Sequence, residues 1–220
     1  MDFRAALEQL KAALQRPLPG AGAHRLTAPR PPRQWPAGFD QANIRHAAGL
    51  LLLFPVDDRA HIVLTVRADT LGRHGGQVSL PGGVVEPGET FEAAALREAQ
   101  EEIGIASGPV RIVGALTPID IPVSAFRLHP IVGAIDERPV MRPSDDEVAA
   151  ILEVPVDRLL DPASLIETER LRDGRRFVTP AFSVAGREIW GATAMVLAEF
   201  LALLGWPGGD SNAGSSTDRP

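Results

Sequence analysis

The segment Gly83–Ile105, GVVEPGETFEAAALREAQEEIGI, carries the most specific chemical pattern of this sequence. Its glutamates Glu98, Glu101 and Glu102 lie at positions i, i+3 and i+4, so on a helix of about 100° per residue they share one face. Like charges that close repel one another. Mg²⁺ and Mn²⁺ prefer oxygen ligands and are held by carboxylates together with substrate phosphates. The spacing therefore indicates a site for a hard divalent cation, with a solvated acidic face as the alternative.

The whole segment resembles the Nudix box, G-x5-E-x7-R-E-U-x-E-E-x-G-U, in which U is a bulky aliphatic residue. The fixed residues of that pattern match at Gly83, Glu89, Arg97, Glu98, Glu101, Glu102, Gly104 and Ile105. Ala99 departs from it at the first U position. That position is one of packing, so the difference concerns the fit of the helix and not its chemistry.

The resemblance implies metal-dependent hydrolysis of a nucleoside diphosphate linked to another group. Glu98, Glu101 and Glu102 would be catalytic ligands of Mg²⁺ or Mn²⁺, and the carbonyl of Gly83 would approach the metal. The metal would neutralise the pyrophosphate oxygens and lower the pKa of a bound water. Such a reaction needs no covalent intermediate, which suits a chain with no cysteine.

The remaining residues of the box have structural roles in this interpretation. Glu89 stands at the junction of loop and helix, where it can pair with Arg97 and fix the loop against the helix. Gly104 belongs to the same structural part of the box.

A candidate general base lies outside the box, in the acidic segment Ser144–Val148 (SDDEV). Nudix enzymes often take their base from such a loop, and the resemblance makes Glu147 the catalytic candidate. A carboxylate there could accept the proton of the attacking water if it comes within about 3 Å. An ordinary solvated turn is the alternative.

A narrower resemblance concerns Leu64–Gly83, LTVRADTLGRHGGQVSLPGG, and the motif Ile189–Ala194, IWGATA. The first is similar to a signature of coenzyme A pyrophosphatases, L-T-x-R-[SA]-x2-L-x2-H-x-G-Q-[VI]-[SA]-F-P-G-G, with Leu80 in place of the usual Phe. The second is similar to a motif near the end of many chains of that subfamily. Together they imply cleavage of coenzyme A, or an acyl-coenzyme A, to 3′,5′-ADP and 4′-phosphopantetheine or its acyl derivative. ADP-ribose, a dinucleotide or another nucleotide conjugate is the alternative substrate, and a non-catalytic Nudix-fold binding domain is a remote alternative.

Four residues upstream of the box are candidate substrate contacts. Arg67 and Arg73 could bind a 3′-phosphate or the pyrophosphate, since the planar guanidinium matches a phosphate; each could instead orient the sheet or face solvent. His74 could contact the substrate or order its loop, and Gln77 could bond either backbone or substrate. Trp190 is interpreted as a core or interface residue in preference to a base-stacking one.

The pattern of apolar residues predicts the α/β class, with a mixed β-sheet and helices on both of its faces. The resemblance implies that this is the Nudix fold, a mixed β-sheet sandwiched between α-helices. Residues 1–40 would form an N-terminal helix and a Pro-rich arm, residues 41–206 the Nudix hydrolase domain, and residues 207–220 a disordered tail. Arg170–Arg176 is predicted to be a hairpin turn. The predicted helices are Phe3–Leu14, Thr90–Ile103 and Ala192–Leu204, and the predicted strands are Ala47–Phe54, His61–Arg67, Arg111–Leu116, Arg127–Ile135, Ala149–Pro155, Phe177–Val184 and Arg187–Trp190.

Composition narrows the function classes further. The 220 residues carry a formal net charge of −6, which disfavours nucleic acid and anionic membranes as partners. The absence of cysteine excludes disulfide scaffolds, thiolate metal sites and cysteine nucleophiles. Neither a secretory signal nor an apolar stretch of membrane-spanning length is present, so we expect a cytoplasmic protein whose partner is a small nucleotide resembling coenzyme A. The N-terminal arm could wrap a second subunit, which would make the protein a homodimer.

Overall fold

The structure is a computed structural model that describes residues 1–68, 76–144, 147–172 and 174–206. Helices and strands interleave along the described chain, as the α/β prediction requires. The helices are α1 (Phe3–Leu14), α2 (Ala21–His24), α3 (Phe91–Ile103), α4 (Val156–Leu160) and α5 (Ala192–Leu203). The strands are β1 (Arg45–Val56), β2 (Arg59–Arg67), β3 (Val78–Ser79), β4 (Gly82–Val84), β5 (Arg111–Ala115), β6 (Ile119–Ile121), β7 (Phe126–Ala134), β8 (Val148–Pro155), β9 (Leu165–Arg172), β10 (Arg175–Val184) and β11 (Arg187–Trp190).

Strand β1 is the centre of the larger sheet. It pairs in parallel with β7 and antiparallel with both β2 and β4, which makes the sheet mixed. The sheet runs in the order β3-β2-β1-β7-β5, with β4 on β1, β6 on β7 and β8 on β2. Strand β4 therefore delivers the first residues of the acidic segment to the middle of the sheet.

The sequence of β1 explains why helices cover both faces of this sheet. Residues 50–54, four leucines and a phenylalanine, are all fully buried, which a strand achieves only when both faces are packed. Leu50, Leu52 and Phe54 pack with α3, whereas Leu51 and Leu53 pack with α1 and α5. The predicted arrangement of a mixed sheet between helices is confirmed.

The smaller sheet corrects one prediction. Strands β9, β10 and β11 form an antiparallel sheet, and Leu165–Arg172, which was not predicted to be extended, pairs along its length with β10. The predicted turn over Arg170–Arg176 is therefore too long, because strand pairing continues to Arg172 on one side and resumes at Arg175 on the other. Charged side chains on the exposed face of β9 give it the composition of a loop.

The N-terminal segment packs on the same core. Helix α1 begins after Asp2, whose carboxylate accepts a hydrogen bond of 2.9 Å from the backbone N–H of Ala5. Its apolar face joins the core cluster that contains Leu51 and Leu53. Further along, the backbone of Arg30 exchanges two hydrogen bonds of 2.8 and 3.1 Å with Val178 of β10. Within the described residues, no helix is both long and apolar enough to cross a membrane.

Candidate active site

Helix α3 holds the acidic residues in place through its two ends and one apolar face. Thr90 caps the first turn, its hydroxyl accepting a 3.2 Å hydrogen bond from the N–H of Ala93. Gly104 ends the helix in the left-handed region at φ 72°, where a glycine costs least. Ala99 is buried with the other apolar residues of α3 against β1. Glu102, three residues further on, is buried at the edge of the same face, whereas Glu101 is exposed.

Glu98 and Glu102 meet the loop that begins with β4. The N–H of Gly82 donates a 3.2 Å hydrogen bond to Oε2 of Glu102. The backbone of Gly83 lies so close to Glu98 that a Cβ atom placed on it would stand 2.5 Å from that carboxylate. The two glutamates thus line one cleft with Gly83, as the metal-site hypothesis requires, and the loop can approach only because it carries no side chain there.

The carboxylates of this cleft are electrostatically unfavourable neighbours. Burial raises the pKa of Glu102 to about 7, and the nearby charges of Glu98 and Glu147 push it in the same direction. Burial also raises the pKa of Glu98, although hydrogen bonding to Arg97 opposes that shift. A bound cation would reverse these repulsions. The all-oxygen donor set is the one that Mg²⁺ and Mn²⁺ prefer.

Arg97 clamps the loop to the helix. Its Nε and Nη2 donate to the two carboxylate oxygens of Glu89 at 3.0 and 3.1 Å, and Nη2 also donates to the carbonyl of Val84 at 3.0 Å. The hydrogen bond with Arg97 is the main cause that lowers the pKa of Glu89. The structure thus places Glu89 and Arg97 in the pairing that their positions in the sequence suggested.

Glu101 stands apart from the cleft. Its side chain is 60% exposed and accepts a 3.2 Å hydrogen bond from Nη1 of Arg97, which also donates to Glu98 at 2.9 Å. Among the residues that the structure describes, no three acidic or histidine side chains stand together as a ready-made ion site. The groups that fit a cation are therefore Glu98, Glu102 and the Gly83 backbone, and Glu101 would join them only by leaving Arg97.

The candidate base and one candidate substrate contact reach the same cleft. Glu147 immediately precedes β8, and its carbonyl accepts a 2.9 Å hydrogen bond from the N–H of Ala68, the residue after Arg67. Its carboxylate lines the cleft with Glu98 and Glu102, and the charge of Arg67 favours the ionised form of Glu102. Two neighbours of Glu147 in the predicted acidic loop, at positions 145 and 146, lie outside the described residues.

A cavity of about 450 Å³ adjoins the cleft and shares Arg67, Gly82 and Gly83 with it. Gln77 lines this cavity. The other two substrate candidates, Arg73 and His74, lie outside the described residues.

Three residues of the cavity wall are not among the substrate candidates that the sequence offered. Trp190, interpreted from the sequence as a core or interface residue, is half-buried and lines the cavity. Its place at the end of a strand, inside the IWGATA motif, is a signal that could have identified it. Phe126 and Arg33 also line the cavity. No local pattern marks either of them, because the sheet and the N-terminal arm bring them there from distant parts of the chain.

Comparison with known proteins agrees with this fold. The family model of the NUDIX domain matches residues 44–175. Uncharacterized Nudix hydrolase NudL from Salmonella newport (strain SL254) is 37% identical over 166 residues, which cover 74% of this chain and 84% of that protein. The homologous protein from Salmonella enteritidis PT4 (strain P125109) matches to the same extent, with 37% identity over 166 residues.

The solved structures that match this chain are more distant in sequence. The Nudix hydrolase RenU of M. smegmatis has 23% sequence identity and a TM-score of 0.47, covering 61% of this chain and 81% of its own. The C. elegans Ap4A hydrolase binary complex has 19% identity and a TM-score of 0.44, covering 50% and 80%. The domain match and the 37% identity to NudL proteins show that this chain belongs to the Nudix hydrolase family, whose members cleave pyrophosphate bonds.

Proposed function

We propose that this protein is a coenzyme A pyrophosphatase that depends on Mg²⁺ or Mn²⁺ and acts on coenzyme A or its acyl derivatives. The observation that carries the proposal is the meeting of two distant motifs at one cavity. Gln77 comes from the upstream segment and Trp190 from IWGATA, and both line the cavity beside the carboxylate cleft. Thr193 ties the two motifs together, because its hydroxyl donates a 3.2 Å hydrogen bond to the carbonyl of Val78.

The residues of the cleft supply the chemistry in this proposal. Glu98, Glu102 and the carbonyl of Gly83 hold the cation, which when bound neutralises pyrophosphate charge and acidifies a water. Arg67 stands between cleft and cavity, where its guanidinium can bind a phosphate oxygen. Glu147 accepts the proton of the attacking water. Water adds to one phosphorus, the bridging oxygen leaves with the other, and two phosphate monoesters result.

A substrate panel tests this assignment. We expect coenzyme A and acetyl-coenzyme A to give a kcat/KM at least tenfold above those of ADP-ribose, NADH and Ap4A, a difference of about 1.4 kcal/mol in transition-state binding. Chromatography of the products should show 3′,5′-ADP and 4′-phosphopantetheine. Faster cleavage of ADP-ribose or NADH would overturn the assignment to coenzyme A and leave the chain a Nudix hydrolase of another substrate.

Matched substitutions on α3 test the cleft itself. We expect Glu98→Gln to lower kcat by two or more orders of magnitude, because it removes one charge from the donor set. Glu92→Gln is the control, since Glu92 is exposed in the first turn of the same helix and outside the cleft. Equal activity of both variants and the unchanged protein would remove Glu98 from the metal site and favour a non-catalytic role for the cleft.

The oligomeric state and cellular location also remain proposals. Arg30 of the arm pairs with β10 of its own chain, so a homodimer would use other surfaces of the arm. Light scattering coupled to size exclusion distinguishes monomer from dimer. Fractionation of cells that express the protein tests the cytoplasmic location.

A further inference from the structure

The N-terminal arm contributes a cationic side chain to the cavity. Arg33 follows Arg30, whose backbone is paired with Val178, and the guanidinium carbon of Arg33 lies 5.7 Å from the centre of the Phe177 ring. The half-buried Arg33 side chain lines the cavity. Because the NUDIX domain match begins at residue 44, this cation comes from outside the matched domain.

The cavity differs from the carboxylate cleft in the sign of the charged side chains that line it. Among the described residues that line it, Arg33 and Arg67 are the cations and none is acidic. Arg67 also lines the carboxylate cleft, whereas Arg33 lines the cavity alone. A ligand whose pyrophosphate lies at the cleft beside Arg67 would therefore meet a second cation inside the cavity.

The aromatic side chains of the cavity indicate the rest of that ligand. Trp190 and Phe126 both belong to its wall, and each ring carries a guanidinium over one face, that of Arg170 at 4.2 Å and that of Arg45 at 4.0 Å. Those two arginines are not part of the lining, so they hold the rings from outside the cavity. Aromatic walls with apolar neighbours suit a flat base.

We infer that the cavity holds the phosphorylated nucleoside half of the substrate and that Arg33 binds the phosphate on its ribose. The identity of that half as adenosine 3′-phosphate rests on the proposed function. The cavity recognises a broader class of ligand than adenosine 3′-phosphate, namely a purine nucleotide that carries an anionic group on the ribose in addition to its 5′-phosphate. Arg33 then determines specificity for such nucleotides, and the pantetheine half extends from the cleft in another direction.

Ligand binding without metal or turnover tests the inference directly. Calorimetry compares 3′,5′-ADP with AMP, which share base and 5′-phosphate and differ in the 3′-phosphate. We expect the protein to bind 3′,5′-ADP about 10- to 100-fold more tightly, as a hydrogen-bonded charge pair provides. Arg33→Ala should bring this ratio close to one, and Arg33→Lys should retain part of it, because lysine keeps the charge but loses the planar fork.

Arg30→Ala is the matched control on the same arm. It removes the same charge, but Arg30 pairs with Glu167 outside the cavity, so the ratio should be unchanged. If Arg33→Ala leaves the preference for 3′,5′-ADP intact, or if the unchanged protein has no such preference, the inference is wrong. An equal loss of the preference in Arg30→Ala would also overturn the inference, since the loss would then come from a displaced arm and not from the guanidinium of Arg33.

Kinetics with coenzyme A and dephospho-coenzyme A separate this inference from the proposed function. Arg33→Ala should lower the ratio of the two kcat/KM values about 10- to 100-fold, mainly through KM for coenzyme A. If coenzyme A is not cleaved but the binding preference depends on Arg33, the proposed function fails and the inference stands. If coenzyme A is cleaved and Arg33 has no effect on either ratio, the proposed function stands and the inference fails. Displacement of 3′,5′-ADP by pantetheine alone would assign the cavity to the other half and overturn the inference.

Discussion

Gly82 and Gly83 are neighbours in the chain, yet a side chain at each position would meet a different obstacle. At Gly82 an added Cβ atom would lie 2.3 Å from the carbonyl oxygen of Ala48 and 2.6 Å from the Cα of Gly49, both in the backbone of β1. At Gly83 it would lie 2.5 Å from the carboxylate of Glu98. A carboxylate can rotate away, whereas a paired strand cannot. We therefore expect a side chain at Gly82 to affect mainly stability and a side chain at Gly83 to affect mainly catalysis.

We therefore expect Gly82→Ala to destabilise the protein by about 1–3 kcal/mol, as overpacking does, because β4 must shift on β1. Gly83→Ala should displace Glu98 and lower metal-dependent hydrolysis at least tenfold with a smaller loss of stability. Urea unfolding and kcat measurements on both variants check this. A parallel fall of stability and activity in both would indicate that Gly83 acts on the fold and not on the cleft.

Glu102 makes metal-free stability depend on pH. Its pKa rises from 4.5 to about 7 on folding, mainly through burial, so between these values the folded protein binds more protons than the unfolded chain. Stability should therefore decrease as pH rises through this window and stay lower above it. Each pKa unit is worth about 1.4 kcal/mol, so the decrease is on the order of 3 kcal/mol.

We expect Glu102→Gln to remove that dependence, because glutamine accepts the hydrogen bond of Gly82 without carrying a charge. Without metal, the variant should be more stable than the unchanged protein at pH 8 and close to it at pH 5, while its hydrolytic activity is lost. Urea unfolding in the presence of a chelator measures this. Equal stability of the two proteins at pH 8 would contradict the raised pKa.

At the scale of elements, α3 could be predicted almost to the residue because its signals are local. Thr90 caps it, Gly104 ends it, and the spacing of Glu98 and Glu102 places both beside the cleft. Strand β9 could not, since its charged face has the composition of a turn and only its pairing with β10 makes it a strand. The cavity could not be predicted for a related reason: Arg33 and Trp190 are far apart in sequence and line one cavity only through tertiary packing.

Helix α5 contains a buried carboxylate, that of Glu199, which connects the helix to other parts of the fold. Glu199 interrupts its apolar sequence, is fully buried, and accepts four hydrogen bonds. The donors are the N–H of Gly20 at 2.9 Å, His24 at 3.0 Å, and the N–H and hydroxyl of Thr117 at 3.0 and 2.6 Å. Burial opposes ionisation of Glu199, but the hydrogen bonds from His24 and Thr117 outweigh it and lower its pKa. This carboxylate connects α5 to α2 and to the segment between β5 and β6.

Glu199→Ala should cost about 3–5 kcal/mol, because it leaves buried donors on two other elements without their acceptor. Glu199→Gln should cost less, since one acceptor oxygen remains. The control is Glu8→Ala, which removes an exposed pair with Lys11 and should change stability by less than about 1 kcal/mol. Chemical unfolding monitored by circular dichroism compares the three variants. A cost for Glu199→Ala no larger than that of the control would show that the connection is not important for stability.

At the scale of the whole molecule, the first 43 residues lie outside the NUDIX match, yet helix α1 within them belongs to the core. Phe3, Leu7 and Leu10 of α1 are buried in the cluster that also contains Leu51 and Leu53 of β1. The segment also pairs with the start of β2, through a 2.9 Å hydrogen bond from the N–H of residue 3 to the carbonyl of residue 58 and a 3.0 Å bond from the N–H of residue 60 to the carbonyl of residue 1. The N-terminal segment therefore closes one face of the sheet.

A chain that starts at Ile44 should accordingly lose its cooperative fold. Each large apolar side chain of α1 contributes about 1.5–3 kcal/mol by burial, so Phe3, Leu7 and Leu10 together contribute about 5–9 kcal/mol, comparable with the whole stability of many domains. Removal of the segment also takes away two donors of Glu199. Removal of residues 208–220 is the control, and their small polar composition predicts no change in Tm. Urea unfolding followed by circular dichroism measures both truncations. A chain from Ile44 that unfolds cooperatively within about 1 kcal/mol of the full chain would show that the matched domain is self-sufficient and that α1 only covers it.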